Sequence, residues 1–153
     1  MVDEKIAEFA ETAREYCACL EEILGSPIDL ETVRLLLAKL HTGILSVEPP
    51  RLLDDMDGVC PTAVEDEAVR KRLVGLPFDH YWNVGDSTKE QPVCAGSLVD
   101  DIVDIWCDLC EGLSLFDSGH PGAAAWDWKQ SFDTHWGHHL VSAQHAIHCH
   151  LTL

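Results

Sequence analysis

Ser97-Leu-Val-Asp-Asp-Ile-Val-Asp-Ile-Trp-Cys-Asp-Leu109 and, beyond a breaker at Ser118-Gly-His-Pro-Gly122, Trp126-Asp-Trp128 through His135-Trp-Gly-His-His139 decide the fold of this chain. On a wheel of about 100° per residue, the first stretch gathers Leu98, Ile102, Ile105, Leu109 and Leu113 on one face. Asp101, Asp104 and Asp108 follow one another along the adjoining flank. The second stretch puts His139 at the edge of its apolar ridge, His135 just beyond it and His138 toward solvent. So short a breaker turns the chain back, and the two helices are expected to pack antiparallel. Counting from the turn sets Asp101 and Asp104 level with His135 to His139, so carboxylates and imidazoles are predicted to meet near one end of a bundle.

Helical periodicity also governs the first third of the chain, and strand-like alternation is nearly absent throughout. From Asp3, a capping residue, Ile6, Phe9, Ala10, Ala13, Cys17, Leu20 and Leu24 recur at three- and four-residue steps until Gly25-Ser-Pro27. A second helix follows Asp29, with Leu30, Val33, Leu36, Leu37, Leu40 and Ile44 on one face, and ends before Pro49-Pro50. Thr62-x-x-Glu65 reads as a capping box opening a short third helix to Val74. Phe78 to Gly96 reads as one long irregular loop that contains Tyr81-Trp82, either mobile or pinned by its aromatics. Ser97 caps the fourth helix, Pro121 suits the first turn of a fifth, and Trp128, Phe132, Trp136, Leu140, Ala143, Ile147 and Leu151 continue one ridge to the C-terminus. Gly137 interrupts that ridge, which predicts a close approach to another backbone. The expected fold is all-α, a single domain over residues 1–153 built as a bundle of four to five helices with one irregular loop.

Composition limits the partners. With 27 acidic residues against 10 Lys and Arg, the formal charge is −17, which repels phosphate backbones and anionic lipid surfaces. Nucleic acid is therefore not an expected partner, whereas a basic protein or a bound cation is compatible. No apolar run approaches the roughly 18 to 20 residues of a membrane span. The acidic start Met1-Val-Asp-Glu-Lys5 lacks a basic region followed by an apolar one, so the chain reads as cytoplasmic. Seven cysteines at irregular spacing do not form a secreted disulfide framework. Cys107-x-x-Cys110, with Cys149 between His148 and His150, is the one thiol set whose spacing admits zinc.

Asp101, Asp104, Asp108, His135 and His139 form the candidate functional cluster. The reading the residues favour is structural: Asp101 or Asp104 accepts a hydrogen bond from His135 or His139 and locks the last helix onto the fourth, raising the histidine pKa. The alternative is a divalent ion such as zinc or manganese, held by Asp101, Asp104, His135 and His139, that polarises water for hydrolysis with Asp108 or His138 as an outer proton carrier. Helical metal boxes of the usual kinds carry acids on both helices, and here one helix carries them all. No nucleophile elbow or phosphate loop is present. Tyr81, Trp82 and Trp126 are candidate binding residues, because Trp126 and Trp128 cannot share a helix face and one of them must stand exposed or lie under the Tyr81-Trp82 loop.

Ala13-Arg-Glu-Tyr-Cys17, Tyr81-Trp82, Ser97-Leu-x-Asp-Asp-Ile-x-Asp-Ile105 with Asp108-Leu109 and Gly112-Leu113, Trp126-x-Trp128 and His135-Trp-Gly-x-His139 together resemble the bacterial domain-of-unknown-function family DUF5063. The resemblance runs over nearly the whole chain and implies a small, self-contained helical protein of bacterial type, with no activity attached. All five residues of the Asp/His cluster match its motif. Where the pattern continues from Tyr-Trp into Val-Phe-Asp-Pro, this chain has Asn83-Val-Gly-Asp-Ser87. Cys107 and Cys110 stand where basic residues are expected, which argues against a family-wide zinc site built on them. The function expected from all this is a non-enzymatic protein-binding or accessory module without a cofactor, the alternative being a divalent-metal-dependent hydrolase at the Asp/His cluster.

Overall fold

The computed structural model describes residues 3–22, 27–51 and 64–153. Helix α1 (Glu4–Glu21) opens on Asp3, whose carboxylate accepts from the Lys5 N–H at 2.8 Å, and α2 (Leu30–Leu45) opens on Asp29, which accepts from the Thr32 N–H at 2.8 Å. Each cap satisfies a donor that the first helical turn leaves without a partner. Helix α3 (Glu67–Leu73) starts at Asp66 rather than at the Thr62 box, and Thr62, Leu24 and Cys60 lie outside the described residues. Helix α4 (Leu98–Asp117) is capped by Ser97, whose hydroxyl accepts from the Asp100 N–H at 3.1 Å. Gly119, at φ +87°, ends it in the left-handed conformation that disfavours a side chain. Pro121 then begins α5 (Pro121–Ser131), followed without a break by a π turn (Phe132–Trp136) and α6 (Gly137–Thr152). None of these helices is long and apolar enough to cross a membrane.

The long rods pack antiparallel in two pairs. Lys39 pairs with Glu15, and Phe9 lies against Gly43, which sets α1 antiparallel to α2. Asp101 meets His139, Asp108 meets His135, and the Leu109 carbonyl meets the Trp128 indole, so rising numbers on α4 face falling numbers on the last rod. The predicted antiparallel packing is present.

Between the rods, Trp128 and Trp136 are fully buried and both contact Phe9, the first edge-on at 5.1 Å and the second stacked at 6.3 Å. Each indole N–H donates to a carbonyl, Trp128 to Leu109 and Trp136 to Trp128, so burial leaves no donor unpaired. Tyr16 fills the seam between α1 and α4 and donates to the Ile102 carbonyl at 2.8 Å. The indole of Trp128 occupies the space that a side chain at position 112 would need, which accounts for Gly112.

Two sequence expectations need correction. Residues 78–96 are not irregular throughout: β1 (His80–Asn83) and β2 (Cys94–Ser97) pair antiparallel, with Tyr81 opposite Gly96 and Trp82 opposite Ala95, and the stretch 84–93 between them lacks a regular element. Pairing supplies the backbone partners that these short strands cannot announce by alternation. The backbone nearest to Gly137 belongs to its own rod rather than to another helix. A methyl there would overlap the Phe132 carbonyl and ring, so the close contact is with the π turn of its own rod.

Candidate functional site

Helix α4 presents Asp101, Asp104 and Asp108 from successive turns, and the last rod presents His135 from the π turn and His139 from the start of α6. Asp101, only 5% exposed, is the sole charged side chain in the core among the described residues. Its two oxygens are both taken: Oδ1 accepts from His139 Nδ1 at 2.8 Å and Oδ2 from the Tyr81 hydroxyl at 2.5 Å. A carboxylate that accepts on both sides fixes the His139 tautomer, with its proton on Nδ1 and Nε2 turned toward Asp104 Oδ2 at 3.4 Å. His135 repeats the arrangement, its Nδ1 lying 2.6 Å from Asp108 Oδ2. The two rings sit edge to face, 4.8 Å apart.

Both imidazoles therefore spend Nδ1 on a carboxylate of α4, and Nε2 of His139 faces Asp104. Asp104, His135 and His139 each offer a ligand atom within 4.8 Å of the other two, and no comparable trio of His, Cys, Asp or Glu occurs elsewhere among the described residues. Asp101, grouped with them as a metal ligand on sequence grounds, sits behind His139 instead, because Nδ1 and the Tyr81 hydroxyl occupy it. Asp108 is likewise placed behind His135 rather than left as a free proton carrier, and His138 points to solvent. Cys107, Cys110 and Cys149 form no such group; Cys110 contacts Cys17 of α1 instead.

Electrostatics at the cluster follow from burial and proximity. The Asp101 hydrogen bond, outweighing desolvation, raises the His139 pKa, and the charges of Asp101, Asp104 and Asp108 act in the same direction. Asp108 is raised by burial despite His135, and Glu111, one turn further along, is raised by burial and by Asp108. Asp127 on α5 is pushed up to about 6, by burial first and then by Glu111 and Asp108. Burial and neighbouring carboxylates thus raise Asp108, Glu111 and Asp127 together.

Asp127 gives a pH test. Its raised value means that the folded state holds the proton more tightly, so its contribution to stability is full below about pH 4 and is lost as pH rises through about 6. Asp127→Asn is expected to stabilise the protein by about 1 kcal/mol at pH 7.5, after allowance for the partial solvent screening of a half-buried group, and by nothing at pH 4. Urea unfolding at the two pH values measures this; an equal effect at both contradicts it.

The hairpin supplies what sequence reasoning missed. Its Tyr81 reaches Asp101, and its Asn83 donates to Ser142 Oγ of α6 at 3.1 Å, so two side chains of β1 tie the strand to α4 and α6. Gly96 makes this possible: a side chain there would overlap the Tyr81 ring. Asp79, just before β1, accepts from Ser97 Oγ and from the Val99 N–H, anchoring the hairpin at the start of α4. Asn83 lies where the sequence departs from the resembled pattern, and it makes a specific contact. Of the candidate binding residues, only Tyr81 joins the cluster. Trp82 is 78% exposed and Trp126 37% exposed, while Trp128 is the member of that pair that enters the core, away from the hairpin.

The model of the family described as a domain of unknown function, DUF5063, matches residues 1–152. The chain belongs to the DUF5063 family. This DUF5063 chain is also similar in fold to the solved structure of protein BF1032 from Bacteroides fragilis, with a TM-score of 0.74, 20% identity, and coverage of 95% of this chain and 91% of that one. No curated protein matches.

Proposed function

We propose that Asp104, His135 and His139 hold a divalent transition-metal ion of the zinc class, and that this ion activates water for hydrolysis. One observation carries the reading: Asp104, His135 and His139 each offer a ligand atom within 4.8 Å of the other two, and both imidazoles have Nδ1 held by a carboxylate of α4. Carboxylate–histidine pairs of this kind orient metal-ligating rings and raise their basicity. Three protein ligands of His and carboxylate type leave a fourth position for water, whose pKa a bound zinc lowers to about 7. The carboxylates of Asp108, Glu111 and Asp127 around this position disfavour phosphate esters and fit a neutral or cationic substrate.

Calorimetric titration of the metal-stripped, untagged chain with zinc is the test. One ion per chain is expected, with His139→Gln and His135→Gln each weakening binding by at least about 100-fold, since losing a ligand costs no less than losing an orienting partner. Binding unaltered in both variants, or no binding by the native chain, removes the reading.

The exposed Trp82 favours a second reading, a protein-binding or accessory role, because a large aromatic at 78% exposure on a short anchored hairpin suits a partner surface. A basic partner suits the charge of −17. Trp82→Ala would then abolish capture of that partner and leave zinc binding unchanged; equal capture by both forms counts against it.

A further inference from the structure

Cys17 on α1 and Cys110 on α4 meet where these two helices pack. The two sulfurs are in contact: Cys110 Sγ is 3.7 Å from Cys17 Sγ, across 93 positions of sequence. The two thiols differ in access. Cys17 is 4% exposed within the core, while Cys110 sits at the edge of the seam, its sulfur also 3.8 Å from Glu21 Oε1. That carboxylate is held in place by the Trp106 indole N–H at 2.9 Å.

We propose that Cys17 and Cys110 are a redox-active dithiol that exchanges with a small-molecule disulfide of the glutathione type and closes as a disulfide between α1 and α4. Cys110 is the entry point. Its thiolate attacks one sulfur of the oxidised tripeptide, an S–S bond forms at Cys110, the old S–S bond breaks, and one glutathione leaves and takes up the proton that Cys110 gave to water. Cys17 then attacks Cys110 Sγ, and the second glutathione leaves carrying the equivalent of the Cys17 proton. Two protein thiols are oxidised by two electrons and one small disulfide is reduced to two thiols, so the exchange balances.

The geometry suits both steps. Bond formation needs the sulfurs to close from 3.7 Å to about 2.05 Å. In the reduced chain the Cys17 proton is held by its contact with Cys110, by burial and by the Cys110 charge. Capping of Cys110 in the mixed disulfide abolishes the first and third of these, so the buried thiol becomes the attacking group only after the accessible one has reacted. The inference does not depend on the metal reading, since neither cysteine belongs to the Asp/His cluster.

The experiment incubates the full chain with oxidised glutathione under native conditions, blocks remaining thiols, and maps peptides without reduction. The expected result is a Cys17–Cys110 linked peptide, five of the seven thiols still free, and a Tm higher by about 8 °C or more, because the bond closes a long loop. Dithiothreitol should reverse all three. In Cys17→Ala the same treatment should leave glutathione on Cys110 with no link, and in Cys110→Ser neither should form. Linkage of other cysteines, persistence of both thiols while others oxidise, or absence of the Cys110 adduct in Cys17→Ala overturns the proposal. The map of the native chain decides the matter by itself if a variant fails to fold.

Discussion

Asp101→Ala is expected to cost about 3 kcal/mol of stability and to weaken zinc binding by roughly 10- to 100-fold. Asp101 is the point where three elements converge: α4 carries it, α6 sends His139 Nδ1 to one oxygen, and β1 sends the Tyr81 hydroxyl to the other. Alanine leaves an imidazole and a phenol facing a hole from which water is largely excluded, and removal of one partner from a buried charged contact costs more than the contact itself contributes. It also frees the His139 ring to turn, which is why metal affinity should fall although no ligand has been removed. Asp101→Asn keeps the shape and one acceptor, so its loss of stability should be about 1 kcal/mol. Urea unfolding and zinc calorimetry on the two variants separate the effects. Native-like stability in Asp101→Ala would mean that Asp101 does not join the three elements as described.

The second large effect lies in the core. Trp128→Ala should cost about 4 kcal/mol, because Trp128 is fully buried, packs against Phe9 and Phe116, and donates to the Leu109 carbonyl. Gly112→Ala alone should cost about 3 kcal/mol by driving a methyl into the indole. In the Trp128→Ala background the same methyl meets empty space, so its cost should vanish and the two changes should be coupled by about 3 kcal/mol. Chemical unfolding of the four proteins in this cycle measures the coupling. Additive losses would show that Gly112 is there for some reason other than the indole.

These residues also show what the sequence reveals and where it stops. The rods from Leu98 to Asp117 and from Pro121 to Thr152 are legible because a helix is written locally, in the 3.6-residue spacing of Ile102, Ile105, Leu109 and Leu113 and in the caps at Ser97, Gly119 and Pro121. Their antiparallel register follows from the shortness of the turn, so the meeting of Asp101 with His139 is legible too, whereas that of Asp108 with His135 is not. The roles of the individual carboxylates are not, because which oxygen faces Nδ1 and which faces Nε2 is a matter of ångströms and rotamers rather than of helix phase. The hairpin escapes because the pairing of Tyr81 with Gly96 is a contact between distant residues, and four-residue strands leave too little alternation to read. The π turn at Phe132–Trp136 escapes for a related reason: one added residue in a turn leaves the apolar pattern of Trp128, Phe132 and Trp136 looking helical. Cys110 illustrates the same boundary. Its spacing from Cys107 draws the eye along one helix, while its partner Cys17 lies across a helix pair whose alignment no local pattern encodes.

Anomalous diffraction from crystals of the native chain grown with zinc shows whether the paired imidazoles and Asp104 hold a metal. One strong peak is expected, with His135 Nε2, His139 Nε2 and an Asp104 oxygen at about 2.0 to 2.2 Å and Asp101 and Asp108 still bound to the far ring nitrogens. Zinc found only elsewhere on the acidic surface, with His139 Nε2 still facing Asp104, rules the metal site out.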